Sequence, residues 1–260
     1  MSGYVDVNGV STWFQDRGTG ETVVLLHGGL VDGRDFEHNL AALDRTHRVL
    51  IPDRRAHGRS HDVGGPLDLA TMAADTVAFI ETLALGPVSL VGYSAGAMVA
   101  IRAAVAYPAS VAKLVLISGA FDQQGMLFSP SVAEPPPTAL VDAHDQVTPH
   151  GPGHFMSVLE RIVESAEHDP PLTVDEVATI TCPTLVISAD DDLVRLEHTV
   201  ELYRALADSQ LAIVPGTSHL LLHEKTDLCT QLVRDFLTSP DTSTLMPIRR
   251  AQEKRFERVE

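Results

Sequence analysis

Apolar residues in this chain gather into short runs bounded by turn signals, and the period of the pattern changes along its length. Thr22 to Leu26 and Arg48 to Pro52 are brief, continuous apolar runs, the mark of strands buried on both faces. Ahead of them, Tyr4 to Val7 and Val10 to Gln15 flank Asn8-Gly9, the strongest two-residue hairpin signal. From Leu69 to Leu85 the period lengthens: Leu69, Met72, Ala73, Thr76, Ile80, Leu83 and Ala84 recur at threes and fours. Gly86-Pro87 then stops this helix. Val88 to Val91 reads as strand, Ala95 to Tyr107 as helix and Lys113 to Ile117 as strand. Strands alternating with helices imply parallel βαβ units and a sheet covered on both faces.

Between Gly119 and Ile180 the alternation stops. Pro135, Pro136 and Pro137 precede a helical stretch in which Phe155, Leu159, Ile162, Val163 and Ala166 keep helix spacing. Thr173 and Glu176 have capping-box spacing for one more short helix. The alternation resumes with strand Thr184 to Ser188, helix Glu197 to Leu206, strand Leu211 to Val214 and a closing helix, Lys225 to Leu237. The expected organisation is an α/β core over 1–118 and 181–238, a small helical cap insertion over 119–180, and a tail over 239–260.

Composition narrows the function classes. At 260 residues, 44% apolar and 21% charged, the chain has the make-up of a folded globular protein, and α/β folds use this length as one domain. The net charge of −16 argues against nucleic acid and against an anionic membrane surface, both of which need clustered Lys and Arg. Thr82 to Ile101 carries no formal charge over the length of a membrane span. Gly86-Pro87 and the turn at Gly92 to Gly96 break it, so it reads as strand, turn and helix. The N-terminus shows neither the basic nor the apolar region of a signal peptide, so a cytoplasmic location is expected. Cys182 and Cys229 read as small core residues and not as a disulfide.

The chemistry centres on Gly92-Tyr93-Ser94-Ala95-Gly96. A G-x-S-x-G that follows a buried strand and opens a helix has the setting of a nucleophile elbow. The serine sits on a turn so sharp that its neighbours two residues either side must lack a Cβ, and the Ala95 N–H projects from a helix N-terminus that favours negative charge. A serine needs an aligned base, and in this arrangement the partners follow in the order acid, then His. His219, after the last predicted strand, is the expected base, with His223 as second choice. The acid lies in Asp190-Asp191-Asp192, after strand Thr184 to Ser188. His144, His150, His154 and His168, with Asp142 and Asp145 nearby, invite a metal reading. Pro149, Gly151 and Pro152 break any helix that would align them, so no metal and no cofactor is expected.

These motifs, together with His27-Gly28-Gly29, Pro52 to Ser60 and Pro215 to His219, make the chain resemble an α/β-hydrolase-fold protein. The branch it resembles includes small carboxylesterases and cofactor-free haloperoxidases (perhydrolases). The resemblance implies a mostly parallel sheet of about eight strands. It lays the family's Gly-x-x-Asp turn on Ala189 to Asp192 and so selects Asp192 as the acid, with Asp191 open as a one-residue shift. It makes Gly29 and Ala95 the oxyanion donors and His27 a support for their loop. Asp53, Arg55 and Ser60 become structural partners near the site mouth, with Ala56 where the family has glycine. Tyr93 and Leu30 are expected at the substrate pocket, and the cap residues Phe121, Met126, Leu127, Phe128, Phe155 and Met156 in its apolar lining.

The implied activity is hydrolysis of a small to medium apolar carboxylic ester through an acyl-enzyme. Perhydrolase chemistry and carbon–carbon bond hydrolysis use the same three side chains, and a non-catalytic small-molecule receptor on this fold is the alternative from another class. The expected partner is a small-molecule substrate, with a homo-oligomer left open.

Overall fold

Asn8 and Gly9 both adopt the positive φ (51° and 78°) that a two-residue hairpin turn demands. They close β1 (Ser2–Val7) onto β2 (Val10–Arg17), with Val7 opposite Val10. The computed structural model describes residues 1–128, 131–239 and 244–246. The tail expected over 239–260 therefore lies almost wholly outside the described residues.

β2 pairs antiparallel with β4 (Arg48–Pro52). From there the sheet is parallel, through β3 (Thr22–Leu26), β5 (Val88–Tyr93), β6 (Val111–Ile117), β7 (Thr184–Asp191) and β8 (Ser209–Ser218). The spatial order is β1-β2-β4-β3-β5-β6-β7-β8. Side chains alternate between the two faces, as the strand period requires. On one face Val24, Leu26, Leu50, Leu90, Leu114 and Leu116 pack with α1 (Leu69–Thr82) and α2 (Ala95–Ala106). On the other, Val23, Leu25, Val49, Ile51, Val91 and Val115 meet Phe36, Leu40 and Leu43 from two 3-10 turns, and Cys229, Val233 and Phe236 of α8 (Thr226–Thr238). Both cysteines are free thiols. Among the described residues no helix is long and apolar enough to cross a membrane, and residues 82–101 form the end of α1, β5, a sharp turn and the start of α2.

Three of the parallel strands run past the carboxyl end of the segments that announce them. β5 continues to Tyr93, β7 to Asp191 and β8 to Ser218, because backbone pairing persists where the side chains turn polar (Asp191 still pairs with Ser218). These extensions are the carboxyl ends of the parallel strands, where ligands of open α/β sheets bind.

Between β6 and β7 lie α3 (Thr138–Asp145), α4 (His154–His168) and α5 (Val174–Val177). The capping box forms: the Thr173 hydroxyl accepts from the Glu176 N–H, and the Glu176 carboxylate accepts from the Thr173 N–H. Val177 and Ile180 are fully buried in the same cluster as Leu202 of α6 (Leu196–Ala205) and Leu206 just beyond it, so the last turn of the predicted insertion packs as part of the core. α7 (Leu221–Glu224) leads into α8. At the far end of α8, Lys113 Nζ donates to the carbonyls of Leu237 (2.6 Å) and Ser239 (2.8 Å).

Candidate active site

Ser94 stands between β5 and α2 with φ 55° and ψ −121°, a backbone conformation that costs on the order of 1–3 kcal/mol for a non-glycine residue. The two glycines of the motif make the turn possible. A Cβ on Gly96 would lie 2.0 Å from the Leu26 carbonyl oxygen, and one on Gly92 would lie 2.3 Å from that of Gly96. The strain aims the hydroxyl of Ser94 out of the sheet, 2.8 Å from Nε2 of His219. Nδ1 of His219 lies 2.7 Å from Oδ1 of Asp192.

Asp192 is the member of the acid run that reaches His219. Its other oxygen accepts from the hydroxyls of Ser118 (2.5 Å) and Ser188 (3.1 Å) and from the Ala189 N–H (3.0 Å). Burial alone would raise its pKa, but the bonds from His219, Ser118 and the Ala189 N–H outweigh it and bring the value down to about 2. The carboxylate is thus ionised at neutral pH and fixes one imidazole tautomer. The neighbouring aspartates do other work. Asp190 accepts from the backbone N–H groups of Gly216 and Thr217, tying the end of β7 to the loop that presents His219. Asp191 is exposed. His223, the second candidate base, bonds Asp35 at 3.1 Å.

Gly29 and Ala95 face one another across the site: a Cβ on Gly29 would lie 3.5 Å from that of Ala95. Neither N–H donates to a protein acceptor among the described residues. The Gly28–Gly29 peptide is held from behind. Its carbonyl accepts from Nη2 of Arg54 (2.6 Å) and from Nδ1 of His27 (2.8 Å), while Nε2 of His27 accepts from the Arg54 N–H (3.0 Å). Because a trans peptide points its C=O and N–H in opposite directions, pinning the Gly28 oxygen turns the Gly29 N–H toward the other side. Burial, then the Arg54 charge, push the pKa of His27 far down, so it serves as a neutral bracket.

The cavity over Ser94 has a volume of about 470 Å³, in the range of small-molecule sites. Its walls include Leu30, Tyr93, Met98, Met126, Leu140, Ile162 and Leu193. Tyr93 also orients the base, donating its hydroxyl to the His219 carbonyl at 2.7 Å and stacking on the imidazole. Four of the side chains expected in the lining are elsewhere, the exposed Leu127 among them. Phe121 stacks on His198 at 4.0 Å, Phe155 is buried against His144, and Met156 lies on a different side of α4 from the cavity-lining Ile162 and Ala166. Helix spacing identified α4 as amphipathic but not which stripe of it meets a ligand and which meets protein. Met126 and Phe128 do reach the cavity.

The loop Pro52 to Ser60 is a scaffold. Asp53 accepts from the N–H groups of Gly33 and Arg59, Ser60 donates to the Asp53 carbonyl, and Arg55 pairs with Asp75. Ala56 takes φ 61°, the left-handed region that glycine occupies without strain. The cap histidines are absorbed in hydrogen bonds: His144 to His154 at 3.0 Å, His154 to Asp62 at 2.9 Å, and His150 accepting from the Asp62 N–H. No group of three or more potential ligands converges on a metal site among the described residues.

Ser118, Ser188, Arg54 and His57 escaped sequence reasoning. For Ser118 the signal was available: it ends an apolar strand beside the elbow strand, where carboxyl ends converge.

A serine at a strained strand–helix turn, a histidine held by an ionised acid, and two N–H groups opposite it form an arrangement that can perform nucleophilic acyl transfer. The chain as a whole is similar to known proteins. A non-heme haloperoxidase of Rhodococcus erythropolis is 27% identical over 89% of this chain and 97% of its own. A 2-hydroxy-6-oxononadienedioate/2-hydroxy-6-oxononatrienedioate hydrolase of Escherichia coli is 28% identical over 87% and 91%. Among solved structures, a thermophilic esterase from Thermogutta terrifontis superposes with a TM-score of 0.73 at 24% identity, covering 91% of this chain and 98% of its own. The model of the alpha/beta hydrolase family matches residues 23–231, a span that takes in the elbow, the acid turn and the histidine loop, and the chain belongs to that family.

Proposed function

We propose that the protein is a serine hydrolase that cleaves a small to medium carboxylic ester with a mainly apolar body. The observation that carries this reading is the unbroken chain Asp192–His219–Ser94, with contacts of 2.7 and 2.8 Å, at the floor of a mostly apolar cavity. In this reading Ser94 attacks the ester carbonyl while Nε2 of His219 takes its proton. Asp192 stabilises the imidazolium that forms. The N–H groups of Gly29 and Ala95 receive the oxyanion, each worth about 3 kcal/mol of transition-state stabilisation. The alcohol leaves with the proton from His219, and water cleaves the acyl-enzyme with His219 again as base.

Fluorophosphonate labelling read by intact mass tests the activated serine without a choice of substrate. The wild type gains one adduct and Ser94→Ala gains none. Equal labelling of both proteins overturns the assignment of Ser94. A second reading draws on the haloperoxidase relative: hydrogen peroxide in place of water intercepts the acyl-enzyme. Release of peracid from an ester in peroxide would favour it.

A further inference from the structure

We infer that the cavity takes an ester whose apolar body carries a carboxylate, and that Arg54, with His57 beside it, is the subsite for that anion. The inference rests on the hydrolase reading and names the substrate class within it.

Arg54 is almost wholly buried and lines the same cavity as Ser94. A buried guanidinium is stable only when its charge and its donors are matched. Here they are not. Nη2 donates to the Gly28 carbonyl, Nη1 reaches only the Met72 sulfur at 3.1 Å, and Nε has no protein acceptor. A thioether is a weak acceptor, and no carboxylate pairs with the guanidinium among the described residues. Burial pushes its pKa down to about 10, which still leaves it charged at neutral pH.

His57 repeats the pattern with the opposite sign of demand. It is also fully buried and on the cavity wall, and its Nδ1 donates to the Arg55 carbonyl at 2.8 Å. The ring is then a neutral acceptor at Nε2, and that nitrogen has no partner. An unmatched cationic donor and an unmatched neutral acceptor in one wall fit a carboxylate that arrives with a hydroxyl or a water.

The acids on the same cavity do not compete for Arg54. Asp68 caps α1 through the Thr71 N–H, Asp169 accepts from the Leu69 N–H and faces Arg102, and Asp35 pairs with His223. Each has a protein partner, although one oxygen of Asp35 and one of Asp169 has no hydrogen bond, and none of the three pairs with Arg54 among the described residues.

The test compares ethyl esters of equal acyl length with three endings: a methyl group, a carboxylate and an ammonium. Monoethyl esters of dicarboxylic acids from four to eight carbons, the matching neutral ethyl esters and ethyl esters of ω-amino acids are followed by pH-stat. At the best chain length the carboxylate ester is expected to exceed the neutral one at least tenfold in kcat/KM. In Arg54→Met that preference falls to near unity. No preference at any length, preference for the ammonium ester, or a preference that survives Arg54→Met overturns the inference. Should Arg54→Met fail to fold, a crystal structure of Ser94→Ala with monoethyl adipate decides. A carboxylate within hydrogen-bonding distance of Arg54 upholds the subsite, and a carboxylate elsewhere overturns it. Loss of fluorophosphonate labelling would sink the hydrolase reading alone. Titration of Ser94→Ala with adipate by calorimetry still tests the anion subsite in that case, and absence of binding overturns it.

Discussion

At the scale of single residues, three aspartates in a row have three unlike environments. Asp190 binds backbone N–H groups, Asp191 faces solvent and Asp192 reaches the base. Asp192→Asn is therefore expected to lower kcat on the order of 10⁴-fold by favouring the wrong imidazole tautomer, while Asp191→Asn changes it less than about threefold. Steady-state kinetics on any turned-over ester separates the two. Gly96 gives a second expectation. A methyl group there collides with the Leu26 backbone, an obstruction no side-chain rotation can relieve. Gly96→Ala should lose about 3 kcal/mol or more of stability in urea unfolding, with labelling at Ser94 lost as well. The glycines, the serine and the histidine could be read from the chain because turn geometry restricts which residue types fit. The register of the acid could not be read from the residues alone, since an aspartate is chemically the same at all three positions; the resemblance to the family's Gly-x-x-Asp turn selects Asp192, with Asp191 left open. Arg54 was equally opaque: next to Arg55, which pairs with Asp75, nothing in the pattern told which arginine points inward.

At the scale of elements, the Asn8-Gly9 turn located β1 and β2, and apolar runs located the parallel strands and β4, because a strand buried on both faces has to be apolar. They understated the ends of β5, β7 and β8, where pairing continues beneath polar side chains. The insertion was harder to read. α4 shows its amphipathic period, yet which stripe meets the cavity depends on how the helix is set over the sheet, and that is decided by contacts distant in sequence. One such contact is Asp62, which receives Nη1 of Arg161 at 2.6 Å as well as His154. Another tie, invisible to periodicity, is Lys113 at the end of α8. A cation among the last carbonyls of a helix satisfies both their lone pairs and the helix dipole. Lys113→Met should cost about 1–2 kcal/mol, measured as a lower urea midpoint with an unchanged slope. Labelling of Ser94 should be retained.

For the whole molecule, acid sensitivity follows from carboxylates held ionised by the fold. Burial would raise the pKa of Asp62, but hydrogen bonds from Arg161, His154 and the Gly64 N–H win and hold it well below the ordinary 3.8. Asp192 is likewise lowered, to about 2. Each therefore binds its proton less readily folded than unfolded. The stabilisation they provide is complete above the ordinary aspartate value and is lost as the pH falls through the folded ones. The melting temperature should drop as the pH is taken from about 4 toward 2, and Asp62→Asn should flatten that drop. A slope in Asp62→Asn as steep as in the wild type would count against the Asp62 linkage.

The position of β8 at the edge of the sheet has a consequence in time. Ser94 and His219 are 125 residues apart in the chain, and the histidine hangs from the strand that is last in sequence and outermost in space. A nascent or refolding chain can thus complete the inner strands and the serine turn while its nucleophile is still inert. In the proposed reading, the serine meets its base only when the final strand docks. In the proposed hydrolase reading, a chain interrupted before that strand lacks the base and is expected to leave Ser94 unlabelled, however native the rest of it had become.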